Sequence, residues 1–516
     1  MRNELIELLR EDLGAAGYRL GEVAALLGPS AEGARQRGIF APARRVLAER
    51  EERPLGTLIR LLLHGDTVTG RELATAVPRL GARGLAELGL VEESGTGYRA
   101  ILSLNPVELE DSRSEQPLHW WIISDLDDQL RRGPARPDHV MGVGGATRSL
   151  IAQLPPGDAA NCLDLGTGCG IVALHLALRG RVIATDISGR ALDLARMNLR
   201  LNGVAEGTAG VELRRGSLFE PVAAERFDLI ASNPPFVVTP RESAVPRYEY
   251  RDGGMSGDEL AQAVVRQAPE RLEAGGTLVC LANWESPWGG SGLERVRLWI
   301  EDAAVAAGPL HAWVIERDVL DPARYAETWA RDGGARPGDA EFETLLTAWL
   351  RDFAERRVVS IGLGSIRVRR PAEQTGADEA CTIRVEHAAE PFGKLPGGDL
   401  EAAFTAGIAA ERMPEAELLG RRWIRSEAVA ELREHRPGEE APRSIVLRTD
   451  RPIARTVIAD PLLAAAVGAC DGELALAQIA DALATLLEVD AVDVAGALIA
   501  GVRELSWLGM LAAAER

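Results

Sequence analysis

Two short stretches of the chain carry residue types whose spacing suits chemistry on a bound small molecule. In the first, three alternating glycines, Gly166, Gly168 and Gly170, directly follow the apolar run 162–165. Glycines after a strand let the backbone pass close to a ligand, because no Cβ intervenes. Asp186 ends the next apolar run, where its carboxylate can accept both hydrogen bonds from a ribose diol. Strand, glycine run, helix, strand and acid in this order predict a nucleoside-binding βαβ unit.

The second stretch, Asn233-Pro234-Pro235-Phe236, follows the apolar run 227–231. It suits methylation of a planar nitrogen, in a carboxamide or an amino-purine, which is a poor nucleophile because its lone pair is delocalised. The side-chain oxygen of Asn233 and the carbonyl oxygen of Pro234 can accept hydrogen bonds from the two N–H groups of this nitrogen. Such bonds favour a pyramidal nitrogen as it attacks the methyl group. The prolines fix the turn, and Phe236 can stack on the planar group. No general base is required, because the proton can leave after the methyl group arrives.

Together these features resemble those of the class I S-adenosylmethionine-dependent methyltransferases. The Asn-Pro-Pro-Phe motif is similar to that of the release-factor glutamine methyltransferases and of the small-domain ribosomal RNA base methyltransferases. The run 250–260, which contains Asp252-Gly253-Gly254, is similar to a segment that follows the same motif in the glutamine enzymes. The resemblance covers residues 137–280.

This resemblance implies S-adenosylmethionine as the cofactor and gives particular residues a role. Those expected to position the acceptor nitrogen are Asn233, Pro234, Pro235 and Phe236. Those expected to bind the donor are Asp164, Gly166, Thr167, Gly168, Gly170, Asp186, Ile187, Ser217, Leu218 and Asn233. Ser217 stands where the family usually has an acid near the adenine amine. Phe236 stands where the glutamine enzymes usually have tyrosine and the RNA enzymes often have phenylalanine.

Several methyl acceptors fit this chemistry. A protein glutamine side chain, as in a release factor, is favoured by the Asp252-Gly253-Gly254 segment and by the acidic composition. The alternative is an exocyclic adenine or guanine amine in ribosomal RNA, which Phe236 and the flanking modules favour. A small-molecule acceptor also stays open. So does a non-catalytic scaffold that only binds the donor, although the intact Asn-Pro-Pro-Phe motif argues against it.

Composition limits the class of protein and its partners. The chain has 516 residues, 46% of them hydrophobic, which indicates about three folded domains. Its formal net charge is −19, so its surface repels phosphate. The five cysteines are scattered without metal-ligand spacing, so no metal site is predicted. No apolar run approaches the roughly 20 residues that cross a bilayer, and the N-terminus is a mixed-charge amphipathic segment. We therefore expect a cytoplasmic protein without a membrane partner, and the oligomeric state stays open.

The elements that must position these residues fall into three predicted modules. Residues 1–110 are predicted to form helices and a terminal hairpin, a winged-helix-like module that serves as a packing platform or docks protein or RNA. Residues 111–371 are predicted to form an α/β core, the seven-stranded Rossmann-like sheet of class I methyltransferases, with an insertion between strands six and seven. Residues 372–516 are predicted to form a C-terminal α/β module with a winged-helix-like tail.

Two further features near the predicted site have open interpretations. His139 lies in the glycine-containing segment 138–147 and is either an acid or base or, more commonly for such a residue, structural. The polar loop 237–258 leaves the edge of the sheet where α/β enzymes place substrate-reading loops. It is either an ordinary surface loop or a grip on a peptide or a phosphate, formed by Arg241, Arg247, Tyr248, Tyr250 and Arg251.

Overall fold

The computed structural model of the chain describes residues 2–50, 53–111, 113–114, 116–131, 136–207, 210–240, 254–372, 380–394 and 396–514. Its N-terminal part contains α1 (Arg2–Ala15), α2 (Leu20–Leu27), α3 (Pro29–Gln36), α4 (Ala41–Ala48), α5 (Pro54–Leu58) with a π-helical turn (Ile59–Leu63), α6 (Gly70–Ala76), α7 (Gly81–Glu87), β1 (Val91–Ser94), β2 (Gly97–Ala100), β3 (Leu102–Leu109) and β4 (Leu118–Asp125). Within these described ranges, no helix combines the length and the apolar character needed to cross a bilayer.

The central part begins at α8 and ends at the strand β12. Its elements are α8 (Gly145–Ala152), β5 (Asn161–Leu165), α9 (Ile171–Leu176), β6 (Arg181–Asp186), α10 (Gly189–Leu201), β7 (Val211–Arg215), a 3₁₀ turn (Glu220–Val222), β8 (Phe227–Ser232), α11 (Glu259–Gln267), a second 3₁₀ turn (Ala268–Arg271), β9 (Leu272–Pro287), α12 (Gly292–Ala307), β10 (His311–Leu320), α13 (Pro322–Asp332), α14 (Ala340–Glu355), β11 (Val358–Arg369) and β12 (Thr382–His387).

The C-terminal part is smaller and built from helices and short strands. Its elements are α15 (Pro396–Arg412), α16 (Glu415–Gly420), β13 (Arg422–Arg425), β14 (Ala430–Glu434), β15 (Ser444–Thr449), β16 (Arg455–Ala459), α17 (Pro461–Ala469), β17 (Asp471–Ala475), α18 (Leu476–Leu487), α19 (Ala491–Trp507) and β18 (Leu511–Ala513).

The central sheet has eight strands in the spatial order β12-β10-β11-β9-β8-β5-β6-β7. From β7 to β9 all neighbours are parallel, whereas β11 is antiparallel to both β9 and β10. This is the strand order of class I methyltransferases, and it confirms the predicted fold class. The eighth strand, β12, pairs in parallel with β10. The sequence analysis placed these residues in the C-terminal module and not in the central sheet.

The parallel strands bring their carboxyl ends to one edge of the sheet. Leu165 ends β5 opposite Thr185 of β6 and Ser232 of β8. Most residues of β5, β6 and β8 are buried, because both faces of the sheet are covered. The glycine run, Asp186 and the Asn-Pro-Pro-Phe motif therefore meet at this edge.

The three-module division stays a prediction, and two hydrogen-bonded ladders run across its boundaries. The antiparallel pair of β3 with β4 spans the boundary predicted at 110/111, and β12 extends the central sheet beyond residue 371. The predicted hairpin is present, since Val91 pairs with Ala100. The winged-helix-like description of the terminal modules also stays a prediction.

Two asparagines, Asn198 on α10 and Asn202 directly after it, join the N-terminal part to the core. The amide of Asn198, fully buried, accepts from the N–H of Ile123 at 2.7 Å and donates to its carbonyl at 2.8 Å. It also donates to the carbonyl of Cys169, in the glycine turn, at 2.8 Å. One turn later, Asn202 accepts from the N–H of Trp121 at 2.9 Å and donates to its carbonyl at 2.8 Å. The two amides thus pair with β4 much as a neighbouring strand would.

We expect the Asn198→Ala variant to lose about 3 kcal/mol of unfolding free energy, because it leaves buried peptide groups of Ile123 and Cys169 without partners. Urea unfolding followed by circular dichroism measures this loss. The matched Asn202→Ala variant should lose less, since Asn202 is only half-buried and water can replace its amide. An equal or smaller loss for Asn198→Ala would contradict the coupling role given to this residue.

Candidate active site

The glycine turn between β5 and α9 adopts a conformation that glycine takes readily. Gly166, Gly168 and Gly170 have φ of 78°, 54° and 84°, in the left-handed region. A Cβ built on Gly166 or Gly168 would meet no atom within 4 Å, so the turn borders open space that a ligand can fill. A Cβ on Gly170 would lie 3.0 Å from the Cβ of Ala195, so this glycine lets the turn pack closely on α10.

The carboxylate of Asp186 holds the glycine turn in place. Its Oδ2 accepts from the N–H of Gly168 at 2.9 Å, and its Oδ1 accepts from the N–H of Ser188 at 2.8 Å. A carboxylate oxygen has more than one acceptor position. Asp186 is half-buried, so the same carboxylate can still receive the two hydroxyls of a ribose.

Asp164 lies beneath the turn. Its carboxyl is fully buried and accepts from the Thr167 hydroxyl at 2.6 Å. Burial raises its pKa from the ordinary 3.8 to about 7, and the hydrogen bond from Thr167 opposes this rise. The structure therefore gives Asp164 a supporting position under the glycine turn.

The side chain of Asn233 lies just beyond β8 with one end fixed and the other unpaired. Its Nδ2 donates to the Thr147 hydroxyl, on the first turn of α8, at 3.2 Å. Its Oδ1 is buried and has no hydrogen-bond partner among the described residues. Just before it, Ser232 donates to the carbonyl of Leu165 at 2.9 Å. An unpaired buried acceptor costs on the order of 1–3 kcal/mol, which makes Oδ1 a candidate to receive a ligand N–H.

The rest of the motif leads from this acceptor into a buried segment. Pro234 is buried, whereas Pro235 and Phe236 are half-buried. Phe236 packs on the hydrophobic cluster shared by the N-terminal part and the core. Val237 and Val238 are then buried against α13 and α14. The motif is thus a turn between two anchored ends, as its prolines predict.

The residues predicted to flank the adenine lie at the same edge. Ile187 is 60% exposed, an unusual state for a large apolar side chain beside a polar turn. Gly216 donates its N–H to the carbonyl of Asp186 at 3.1 Å, which places Ser217 and Leu218 beside β6. Leu218 has a φ of 47°, a strained conformation for a branched residue. Contact of Ser217, Leu218 and Ile187 with an adenine stays a prediction.

The charged loop after the motif lies largely outside the described residues. Arg241, Arg247, Tyr248, Tyr250, Arg251 and the pair Asp252-Gly253 all fall there. The description resumes at Gly254. Asp258 is then anchored by the N–H of Glu285, at 2.9 Å, and by Arg295, at 2.7 Å.

His139 belongs to a buried polar cluster. Its Nδ1 lies 3.5 Å from Oδ2 of Asp125, and burial lowers its pKa. Asp125 also pairs with both terminal nitrogens of Arg190 and accepts from the N–H of Val140 at 2.8 Å. These contacts fasten the end of β4 to the start of α10 and support the structural interpretation of His139.

Three residues at the site escaped the sequence analysis. Thr147 was seen only as part of the glycine-containing segment 138–147, and Tyr325 was not singled out. Asn198 did leave a signal, because it occupies a position of the buried stripe of α10 that otherwise holds apolar residues.

Comparisons with known proteins support the assignment of the central segment. Residues 141–291 match the family described as methyltransferase small domain, and residues 15–101 match a domain of unknown function, DUF7059. The first match contains the glycine turn, Asp186 and Asn233. It confirms the predicted resemblance to methyltransferases over this segment.

Curated relatives match the same region. The chain is 37% identical over 153 residues to the ribosomal protein uL3 glutamine methyltransferase of Bradyrhizobium diazoefficiens, which covers 28% of this chain and 46% of that protein. It is 40% identical over 131 residues to the release factor glutamine methyltransferase of Geobacter sulfurreducens, which covers 23% of this chain and 44% of that protein. The chain spans about half the length of the curated relatives that it matches.

Among solved structures, a T. thermophilus 16S rRNA methyltransferase in complex with AdoMet and guanosine aligns with a TM-score of 0.26 and 18% identity. This alignment covers 41% of this chain and 59% of that chain.

We expect Asp164 to make the stability of the fold depend on pH. Because its folded pKa is raised to about 7, its protonated form stabilises the fold, fully below about pH 4 and progressively less as the pH rises through 7. The Asp164→Asn variant keeps a neutral acceptor for Thr167. The unfolding free energy of the variant minus that of the wild type should therefore increase by a few kcal/mol between about pH 4 and pH 8. Urea unfolding across this range measures the difference, and a difference that does not change with pH would contradict the burial argument.

Proposed function

We propose that the chain is an S-adenosylmethionine-dependent N-methyltransferase whose acceptor is a glutamine side chain of a protein. The observation that carries this proposal is the buried Oδ1 of Asn233, which has no hydrogen-bond partner in the part of the chain that the structure describes and lies at the edge of the sheet with the glycine turn and Asp186. A glutamine carboxamide has a planar –NH2 that such an acceptor can receive. The names of the relatives, glutamine methyltransferases of a release factor and of ribosomal protein uL3, support the same acceptor class.

The residues at the edge of the sheet fit the donor. The glycine turn has room beside Gly166 and Gly168, Asp186 offers carboxylate oxygens to a ribose diol, and Ile187 offers an exposed apolar surface to a flat ring. When bound, S-adenosylmethionine supplies a methyl group made electrophilic by its sulfonium. Ser217 and Leu218 would flank its adenine, and Asp164 and Thr167 would support the turn from below.

Asn233 and Pro234 would prepare the acceptor for attack. The Oδ1 of Asn233 and the carbonyl oxygen of Pro234 accept the two N–H bonds of the amide, which holds the nitrogen facing the donor. The partial negative charge on these two oxygens also stabilises the positive charge that develops on the nitrogen. Phe236 lies against the face of the carboxamide. The extra proton then leaves to water, so the site needs no ionisable base.

An exocyclic base amine of ribosomal RNA is the second candidate acceptor, and Phe236 is the feature that favours it. The net charge of −19 opposes binding of a polyanion unless a local basic surface compensates. The glutamine proposal also implies a cytoplasmic location.

The acceptor is tested by incubating the protein with methyl-labelled donor and, separately, purified release factor, ribosomal protein uL3 and ribosomal RNA. We expect label in a glutamine of one of the proteins and none in the RNA. Label confined to RNA would overturn the glutamine acceptor but leave N-methyl transfer standing. An absence of label in every acceptor, with normal donor binding, would favour a non-catalytic scaffold.

We further expect the Asn233→Ala variant to lower kcat by about 100-fold or more, because it removes an acceptor placed at the reacting nitrogen. Donor affinity, measured by calorimetry, should change by less than about tenfold. The control is Asn105→Ala, which truncates a half-buried asparagine on β3 and should leave kcat unchanged. A kcat for Asn233→Ala within about twofold of the wild type would contradict its role.

A further inference from the structure

The segment that follows the Asn-Pro-Pro-Phe turn is held by the insertion between β10 and β11. Val237 and Val238 are 5% and 0% exposed. The cluster that buries them comes from α13, α14 and the ends of the flanking strands, and it includes Tyr325 and Trp349. The insertion therefore holds the backbone on the far side of the Asn-Pro-Pro-Phe turn, at Val238.

Side chains of the insertion satisfy both peptide groups of Val238. Its N–H donates to the hydroxyl of Tyr325 at 3.0 Å. Its carbonyl accepts from the indole Nε1 of Trp349 at 2.7 Å. Both aromatic side chains are fully buried, so water cannot take over either bond.

The Tyr325 hydroxyl also ties this segment to the central sheet. It accepts a second hydrogen bond, from Nδ2 of Asn283, at 2.9 Å. Asn283 lies on β9, beyond the point where Cys280 pairs with Ser232 at the end of β8. The hydroxyl of Tyr325 thus links Val238, which follows the Asn-Pro-Pro-Phe turn, to Asn283 on β9, the strand next to β8.

The hydrogen bonds at Val238 affect the position of Asn233, because they hold one of the two ends of the Asn-Pro-Pro-Phe turn. The prolines fix φ at two of its positions, but ψ is left to the anchors at Ser232 and Val238. An acceptor that must meet a planar –NH2 has to be held within roughly 0.5 Å of its working position. We propose that Tyr325 and Trp349 are positioning residues that act on the acceptor nitrogen through Val238 and the Asn-Pro-Pro-Phe turn. This inference rests on the proposed methyltransferase function and adds to it a role for the insertion.

The test uses the full chain and the acceptor that receives label from the wild type. We expect Tyr325→Phe, which removes only the hydroxyl, to lower kcat by about tenfold, equivalent to 1.4 kcal/mol, with donor affinity unchanged. Trp349→Phe, which removes the indole N–H, should lower kcat in the same way. The matched control is Tyr18→Phe. Tyr18 is equally buried, and its hydroxyl donates to the carbonyl of Leu104 at 2.7 Å in the N-terminal part. This control should lower the thermal midpoint but leave kcat unchanged.

A double-mutant cycle separates positioning from general stability. If Tyr325 acts through Asn233, Tyr325→Phe should have little further effect on kcat in the Asn233→Ala background. A full, additive tenfold loss in that background would overturn the inference, and so would a wild-type kcat for both Tyr325→Phe and Trp349→Phe. In either case the wild type still transfers methyl groups, so the proposed function stands. A wild type that transfers no methyl group to any acceptor would overturn both.

Discussion

A buried acceptor with no partner among the described residues, the Oδ1 of Asn233, is the constraint on which the central part of the fold depends. Leaving such an atom unpaired costs free energy, so the surroundings must hold it where it is. Thr147 fixes the other end of the same amide, Ser232 fixes the chain before it, and Tyr325 fixes the chain after it. The turn is therefore held at both of its ends and at Nδ2 of Asn233, and Oδ1 is proposed to receive the substrate nitrogen.

The glycine turn and Asp186, which are proposed to bind the donor, differ from Asn233 because their polar groups already have hydrogen-bond partners. Asp186 holds Gly168, Thr167 binds Asp164, and Asn198 joins Cys169 of the glycine turn to Ile123 of β4. The N-terminal part, which contains the match to a domain of unknown function, also shares one hydrophobic cluster with the core. Its packing against α10 supports a role in stabilising the proposed donor site.

The local sequence determined the elements and the chemistry at the edge of the sheet. Alternating glycines after an apolar run specify a left-handed turn that other residues adopt only with strain. Two consecutive prolines specify a fixed turn after β8. Period and length of the apolar runs then separate strands from helices. Together with the resemblance to class I methyltransferases, the order of these elements predicted the Rossmann-like sheet and the insertion before its seventh strand.

Only the tertiary structure decided which distant residues complete the site. The partners Thr147 and Asn233, and Tyr325 and Val238, are far apart in the chain, and no local pattern marks a hydroxyl that accepts from a peptide group a hundred residues away. The local sequence could not predict the place of β12 in the sheet either, since a strand pairs with whichever sheet edge is free in the folded molecule. Local propensity fixes backbone conformation over a few residues, whereas these bonds exist only because packing of the whole chain brings their buried donors and acceptors within reach.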